Sequence, residues 1–337
     1  MTLPGVTLPT SRRRIAAGAA LFVVACAWGA TFPLAKEILR HLGPFQYLAL
    51  RFGAAALVLV PAALVVAARS RRRDRARAAA TASRSGARAE ATDLPQHAAR
   101  AAAGRARRWA LATGLALAAG YAFQTLGLET AAATTSAFIT GLSVVLVPVL
   151  GVFWKRAAAP AEWLGVATAA AGLAMLTLQG TARPGAGELL VLACAACFAA
   201  HIVVLDRAAP LSSPLALGAW QMACTAIVCA ALAPLEPAPA RVPATILAAV
   251  VAMGLVASAA AFTIQAWAQR FTSPTHVGLI FASEPVAAAL FARLWLGERL
   301  AGRQWIGAAL ILAGIVLAEL RPAARRAPKP FSRSRTP

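Results

Sequence analysis

Glu284 stands near the middle of the apolar run 275–296, and Pro285 follows it at once. A carboxylate at that depth in hydrocarbon is costly and by default marks a functional site. The proline removes a backbone hydrogen bond and bends or loosens the helix that carries both. Two chemistries suit Glu284: taking up a proton for exchange, or pairing with a cationic ligand. The structural alternative is a carboxylate that bonds the backbone groups freed beside Pro285. Other polar residues fall inside apolar runs. Gln124 lies three residues after Tyr121, a spacing that puts both on one helix face, and Gln265 sits in a comparable run later in the chain. Trp28 and Thr31 share a face of the first run by the same spacing. His201 titrates near neutral pH when unperturbed. Thr140 and Phe281 complete the candidate substrate-binding set, with Glu284 also the candidate coupling residue. Each has a bland alternative, since buried amides, hydroxyls and rings also bridge or fill packed helices.

Other residues carry less chemistry. Arg51 lies about six residues into its run, where snorkelling to the outer interface is the expected outcome; Arg293 reads the same way near a helix end. All five cysteines fall within apolar runs. Cys194 and Cys197 have CxxC spacing but no second ligand pair, so they read as small packing residues, with no metal site and no cofactor. There is no phosphate-binding loop, no nucleophile elbow and no zinc-binding His-Glu-x-x-His, and no span holds paired carboxylates. No enzyme is expected.

The elements that position these residues follow from composition. The 337-residue chain is 60% hydrophobic and 13% charged, against about 25% charge in a soluble domain, and its mean hydropathy is +0.68. Apolar runs recur at about 15–34, 45–67, 109–128, 133–154, 161–178, 187–205, 213–234, 244–268, 275–296 and 303–320. Runs of that length are transmembrane helices, so the expected fold is an all-α polytopic membrane protein with ten transmembrane helices. The net charge of +21 sits beside these runs: three basic residues at Arg12–Arg14, twelve between Arg69 and Arg108, and six from Arg321 onward. That distribution marks the cytoplasmic side and attracts anionic lipid; it does not build a nucleic-acid surface. With an even span count both termini are cytoplasmic. Residues 69–108, rich in Arg, Ala and Ser without an apolar stripe, read as a solvated cytoplasmic loop.

The chain also repeats internally. A shift of 141 places Gln124 on Gln265, Thr134 on Thr275, Ile139 on Ile280, Thr140 on Phe281, Ser143 on Glu284 and Trp154 on Trp295. A shift of 142 places Trp163 on Trp305, Gly165 on Gly307 and Gly172 on Gly314. For the first two helices of each copy the shift is 170, placing Trp28 on Phe198 and Arg51 on Gln221; the difference matches the inserted basic loop. Five helices per copy is an odd number, so the copies are expected as two inverted five-helix repeats, an arrangement of secondary transporters with a midplane site between the halves. The glycine pairs predict close helix approach, within the chain or between protomers of a homodimer.

WGATFPLAK near the N-terminus, TSAFITGLSVVLVPVLG at 135–151, GLIFASEPVAAALFARLWLGERL at 278–300 and GAALILAGIVL at 307–317 resemble EamA-type permeases of the drug/metabolite transporter superfamily. The resemblance covers nearly all ten helices. It implies the five-plus-five inverted-repeat fold and a central cavity lined chiefly by helices 1, 3, 4, 6, 8 and 9, with the fifth and tenth at the periphery. It also implies efflux of amino acids, other small metabolites or lipophilic drugs. The chain departs from twofold likeness at Ser143-Val144, where the second copy has Glu284-Pro285. The expected organisation is a cytoplasmic tail (1–14), a first repeat (15–178) holding the 69–108 loop, a second repeat (187–320) and a basic cytoplasmic tail (321–337). The expected function is a permease in the bacterial inner membrane, moving a small-molecule substrate across the lipid bilayer by alternating access. A lipid flippase or scramblase, and a sensor or scaffold using the basic loop, are the alternatives from other classes.

Overall fold

The computed structural model describes residues 11–85, 94–153, 158–177, 185–239, 241–296 and 301–319. Outside the described residues lie 86–93 of the basic loop, Trp154 with Lys155-Arg156, 178–184, the 297–300 turn and the C-terminal tail. Among the described residues every regular element is helical. Helix α1 (Ser11–Ile38) is followed by α2 (Pro44–Ser85), α3 (Leu94–Thr130), α4 (Ala133–Gly141), α5 (Ser143–Phe153) and α6 (Pro160–Thr177). Then come α7 (Ala186–Ala208), α8 (Pro214–Leu232), α9 (Ala244–Met253), a π-helical stretch (Gly254–Ala260), α10 (Ala261–Ala268), α11 (Pro274–Phe281), α12 (Glu284–Leu296) and α13 (Gly302–Glu319). Seven segments are long and apolar enough to cross a membrane: 12–38, 44–74, 101–130, 135–153, 186–208, 214–235 and 244–268. The other three expected runs are helical as α6, α11 with α12, and α13, but do not reach that length and apolarity within the described residues.

The reading of 69–108 as a loop is corrected here. Helix α2 continues to Ser85 and α3 begins at Leu94. Ala and Arg are strong helix formers, and extending a helix already nucleated in the apolar segment costs far less than starting one. Arg69 to Asp74 are exposed, so this extension stands clear of the packed helices.

Two helices break at equivalent places. Leu142 separates α4 from α5, and Ala282-Ser283 separates α11 from α12. In the second break Pro285 has no N–H to give the Phe281 carbonyl, and it occupies the first turn of α12, where a missing donor costs nothing. Elsewhere helix ends are closed by polar side chains. Ser213 and Ser273 cap α8 and α11, accepting from the N–H groups of Ala216 and His276 at 3.2 Å each. Glu236 accepts from the N–H groups of Phe45 (2.7 Å) and Gln46 (3.0 Å), tying the end of α8 to the start of α2. The Glu162 carboxylate in the first turn of α6 accepts from the Ala159 N–H at 2.8 Å and from the Ser273 hydroxyl, joining α6 to α11.

Helix pairing places α6 on α13, α3 on α7, α2 on α8, and α1 against α10 and the α11–α12 pair. The α6–α13 contact rests on glycine. A Cβ on Gly165 would lie 2.6 Å from the Gly314 carbonyl oxygen, and one on Gly314 would lie 2.6 Å from that of Gly165. Gly172 faces Gly307 at 2.5 Å in the same sense, so the helices run antiparallel. The glycine pairs therefore meet within one chain. Because the obstructing atoms are backbone, Gly165→Leu is expected to lower the unfolding midpoint in detergent by an amount corresponding to about 1–3 kcal/mol of overpacking. Gly104→Leu, with open space around it, should leave the midpoint unchanged. The outer surface carries exposed Leu57, Val58, Leu64, Ile227, Leu294 and Ile306, an apolar coat of the kind a bilayer covers.

Candidate functional site

Between the two broken helices lies a narrow cavity of about 40 Å³, room for a few waters at about 10–15 Å³ apiece. All nine residues singled out by type and spacing line it. Trp28 and Thr31 come from α1, Tyr121 and Gln124 from α3, and Thr140 from the end of α4. His201 comes from α7, Gln265 from α10, Phe281 from the end of α11, and Glu284 from the start of α12. Five further wall residues escaped the sequence reading: Phe32, Ser143, Phe198, Ile202 and Phe262.

Each polar side chain has a definite local setting. The Trp28 indole N–H donates to the Ala257 carbonyl at 2.7 Å, and its ring lies 5.0 Å from Phe262 and 4.9 Å from Phe281, centroid to centroid. The Thr31 hydroxyl donates to the Trp28 carbonyl at 2.7 Å. Gln124 donates to the Thr140 hydroxyl at 3.4 Å, whereas Gln265 donates to Gln269 at 2.9 Å and leaves its own Oε1 buried without a partner. Gln221 donates its amide N–H to the Leu217 carbonyl (3.2 Å), which turns its oxygen to His201 Nε2 at 2.6 Å. That nitrogen is then the donor, and Nδ1 of the neutral ring is an acceptor. Glu284 is 8% exposed. Its carboxylate makes no hydrogen bond or ion pair among the described residues, so it does not stabilise the backbone beside Pro285. Gly29 lets α1 approach closely there: a Cβ on it would lie 2.6 Å from the Glu284 carbonyl oxygen.

Arg51 corrects the interfacial expectation. It is 2% exposed and lies behind the cavity wall. Its Nε donates to the Ser258 hydroxyl at 2.9 Å, and Nη1 to the Tyr47 hydroxyl at 3.0 Å. Nη2 reaches the Tyr121 hydroxyl and the Ala257 carbonyl, both at 3.4 Å. The guanidinium carbon also stands 4.9 Å from the Tyr121 ring centroid and 5.4 Å from that of Phe52. Those partners replace the water a snorkelling side chain would seek. They come from the π-helical stretch, which turns Ala257 and Ser258 toward α2, from Tyr47, one turn earlier on α2, and from Tyr121 on α3. Arg51 acts on Glu284 electrostatically without touching it. Arg293, by contrast, is exposed.

The cavity wall is twofold in sequence. Under the shift of 170, Trp28 pairs with Phe198, Thr31 with His201 and Phe32 with Ile202; under 141, Tyr121 pairs with Phe262, Gln124 with Gln265, Thr140 with Phe281 and Ser143 with Glu284. Every wall residue thus has its equivalent in the wall. Applying the repeat to each candidate finds Phe198, Phe262 and Ser143; Phe32 and Ile202 pair only with each other.

The family model for EamA-like transporters matches residues 16–178 and again 185–320. The chain belongs to the EamA-like transporter family. Membership makes this EamA-like protein a membrane transporter and not an enzyme. It is 28% identical over 315 residues, 92% of this chain and 87% of the relative, to a protein of Archaeoglobus fulgidus named as an uncharacterized transporter. A 65-residue stretch is 34% identical to the putative permease-like protein YdzE of Bacillus subtilis, covering 19% of this chain and 83% of that one. A crystal structure 21% identical to this chain superposes with a TM-score of 0.67 over 90% of this chain and 98% of the other, a likeness of fold.

Proposed function

We propose that this EamA-like protein is a secondary transporter that exports a small molecule across the bacterial inner membrane by alternating access. In this reading ten crossing units form two inverted five-helix repeats, both termini are cytoplasmic, and proton exchange at Glu284 drives export. The observation that carries it is the twofold wall: seven repeat-equivalent pairs surround one cavity. A site built equally from both halves is one that rocking of the halves can expose to either side in turn. The antiparallel crossing of α6 and α13, which are equivalent helices, supports inversion of the copies, because copies in the same orientation would set them parallel. The small cavity volume suits a closed conformation that widens when a substrate enters.

The test is flux in proteoliposomes carrying the full chain. Small amphipathic solutes should exchange across the membrane, with no acceleration of fluorescent lipid transfer. Gln124→Ala, which removes one uncharged hydrogen-bonding group from the wall, should slow exchange about 2–10-fold. Lipid transfer without solute flux would replace the reading with a scramblase.

A further inference from the structure

Within a wall that is twofold in position, charge is confined to one residue. Ser143 holds the place in the first half that Glu284 holds in the second, and neither a lysine nor an arginine lines the cavity. Arg51 is close enough to act on Glu284 through space, but it stands outside the wall. Four of its N–H groups are spent on Ser258, Tyr47, Tyr121 and the Ala257 carbonyl. It has no route to bond a ligand.

The remaining polar groups are unevenly spent. The indole N–H, the Thr31 hydroxyl, His201 Nε2 and both glutamines direct donors into protein acceptors. Two acceptors on the wall have no donor among the described residues: the Glu284 carboxylate, nine-tenths buried, and the buried Gln265 Oε1. A buried acceptor without a donor costs about 1–3 kcal/mol, more when charged, and a ligand that brings N–H groups removes that cost. On the same wall stand the rings of Phe262 and Phe281, each in contact with Trp28 at 5.0 and 4.9 Å. Ring faces attract a cation and receive an apolar body equally well.

We propose that the cavity selects a small primary or secondary ammonium ion with an aromatic or apolar body, its N–H groups bound by Glu284 and Gln265 Oε1. This rests on the transporter reading above and names its substrate class. A quaternary ammonium has no N–H for Gln265. A zwitterionic amino acid sets a second carboxylate beside Glu284 with no cation on the wall to receive it. A neutral amide forfeits the charge-assisted bond, which is roughly twice as strong as a neutral one.

The test uses the purified full chain in detergent with three matched probes: 2-phenylethylamine, its N-acetyl derivative and phenylalanine. The amine should raise the unfolding midpoint in a concentration-dependent way, with a Kd at least about tenfold below that of either comparison compound. Glu284→Gln should remove that preference while leaving cooperative melting intact, and Gln265→Leu should weaken amine binding without admitting the zwitterion. If Glu284→Gln fails to fold, selectivity of the wild-type chain decides alone. Equal responses to the amine and its N-acetyl derivative, a preference for phenylalanine, or no response to the amine would each overturn the proposal. Solute flux that prefers the neutral or zwitterionic probe would overturn this inference and leave the transporter standing. Lipid transfer without flux of any probe would remove both.

Discussion

Arg51→Met is expected to lower the stability of the folded protein in detergent by about 2–4 kcal/mol, the largest effect of any single replacement outside the cavity wall. Intramembrane hydrogen bonds are worth only about 0.6 kcal/mol each on average, and the guanidinium makes four. Losing them accounts for roughly 2 kcal/mol. The remainder comes from the orphaned Tyr47, Ser258 and Tyr121 hydroxyls and from the lost contact with the Tyr121 and Phe52 rings. Met fills most of the volume, so the effect reports on polar satisfaction more than on a cavity. Arg51→Lys separates charge from geometry. A lysine keeps the cation but has no planar fork, so it should recover less than half of the lost stability. Full recovery would mean that charge alone holds the site. The measurement is the unfolding midpoint across the three proteins in one detergent.

The second large effect is on coupling. In proteoliposomes, Glu284→Gln should abolish the part of solute flux that an imposed proton gradient drives, a loss of at least tenfold by the logic of an essential exchanging group. The neutral amide has nearly the shape of the carboxylate but neither takes up nor releases a proton. Downhill exchange of a solute bound by shape alone should persist. The sign follows from competition. If proton and cation share one carboxylate, acidifying the side from which substrate loads favours the protonated form and slows loading in the wild type. The variant should show no such slowing. A Glu284→Gln protein with unchanged pH dependence and unchanged gradient-driven flux would place coupling elsewhere.

Two features explain why so much of the site was legible. A polar residue inside an apolar run stands out whatever the fold, because hydrocarbon tolerates it only at a cost; Glu284, Gln124, Gln265 and His201 were found that way. The repeat then related the two halves, and it holds residue for residue around the wall. Phe198, Phe262, Phe32 and Ile202 escaped because aromatic and aliphatic side chains in a span are indistinguishable from lipid-facing ones until a partner is known. Ser143 escaped because a hydroxyl in a helix satisfies itself locally.

Membership of the family, the helical class, the positions of the apolar runs and, apart from Ser143, the polar residues of the cavity were determined by the sequence. These depend on composition and on local period, which each segment carries by itself. The tertiary structure decided the rest. Arg51 is at the depth where a side chain chooses between water and protein partners. Only the arrival of Ser258 and Ala257 on the π-helical stretch, and of Tyr121 from α3, makes protein the better choice. The 69–108 segment turned on whether a helix begun in the membrane keeps propagating beyond it. The glycine stripes on α6 and α13 announced close packing, but which surface they meet depends on the path of the whole chain. In each case the deciding partner is distant in sequence, and no local pattern names it.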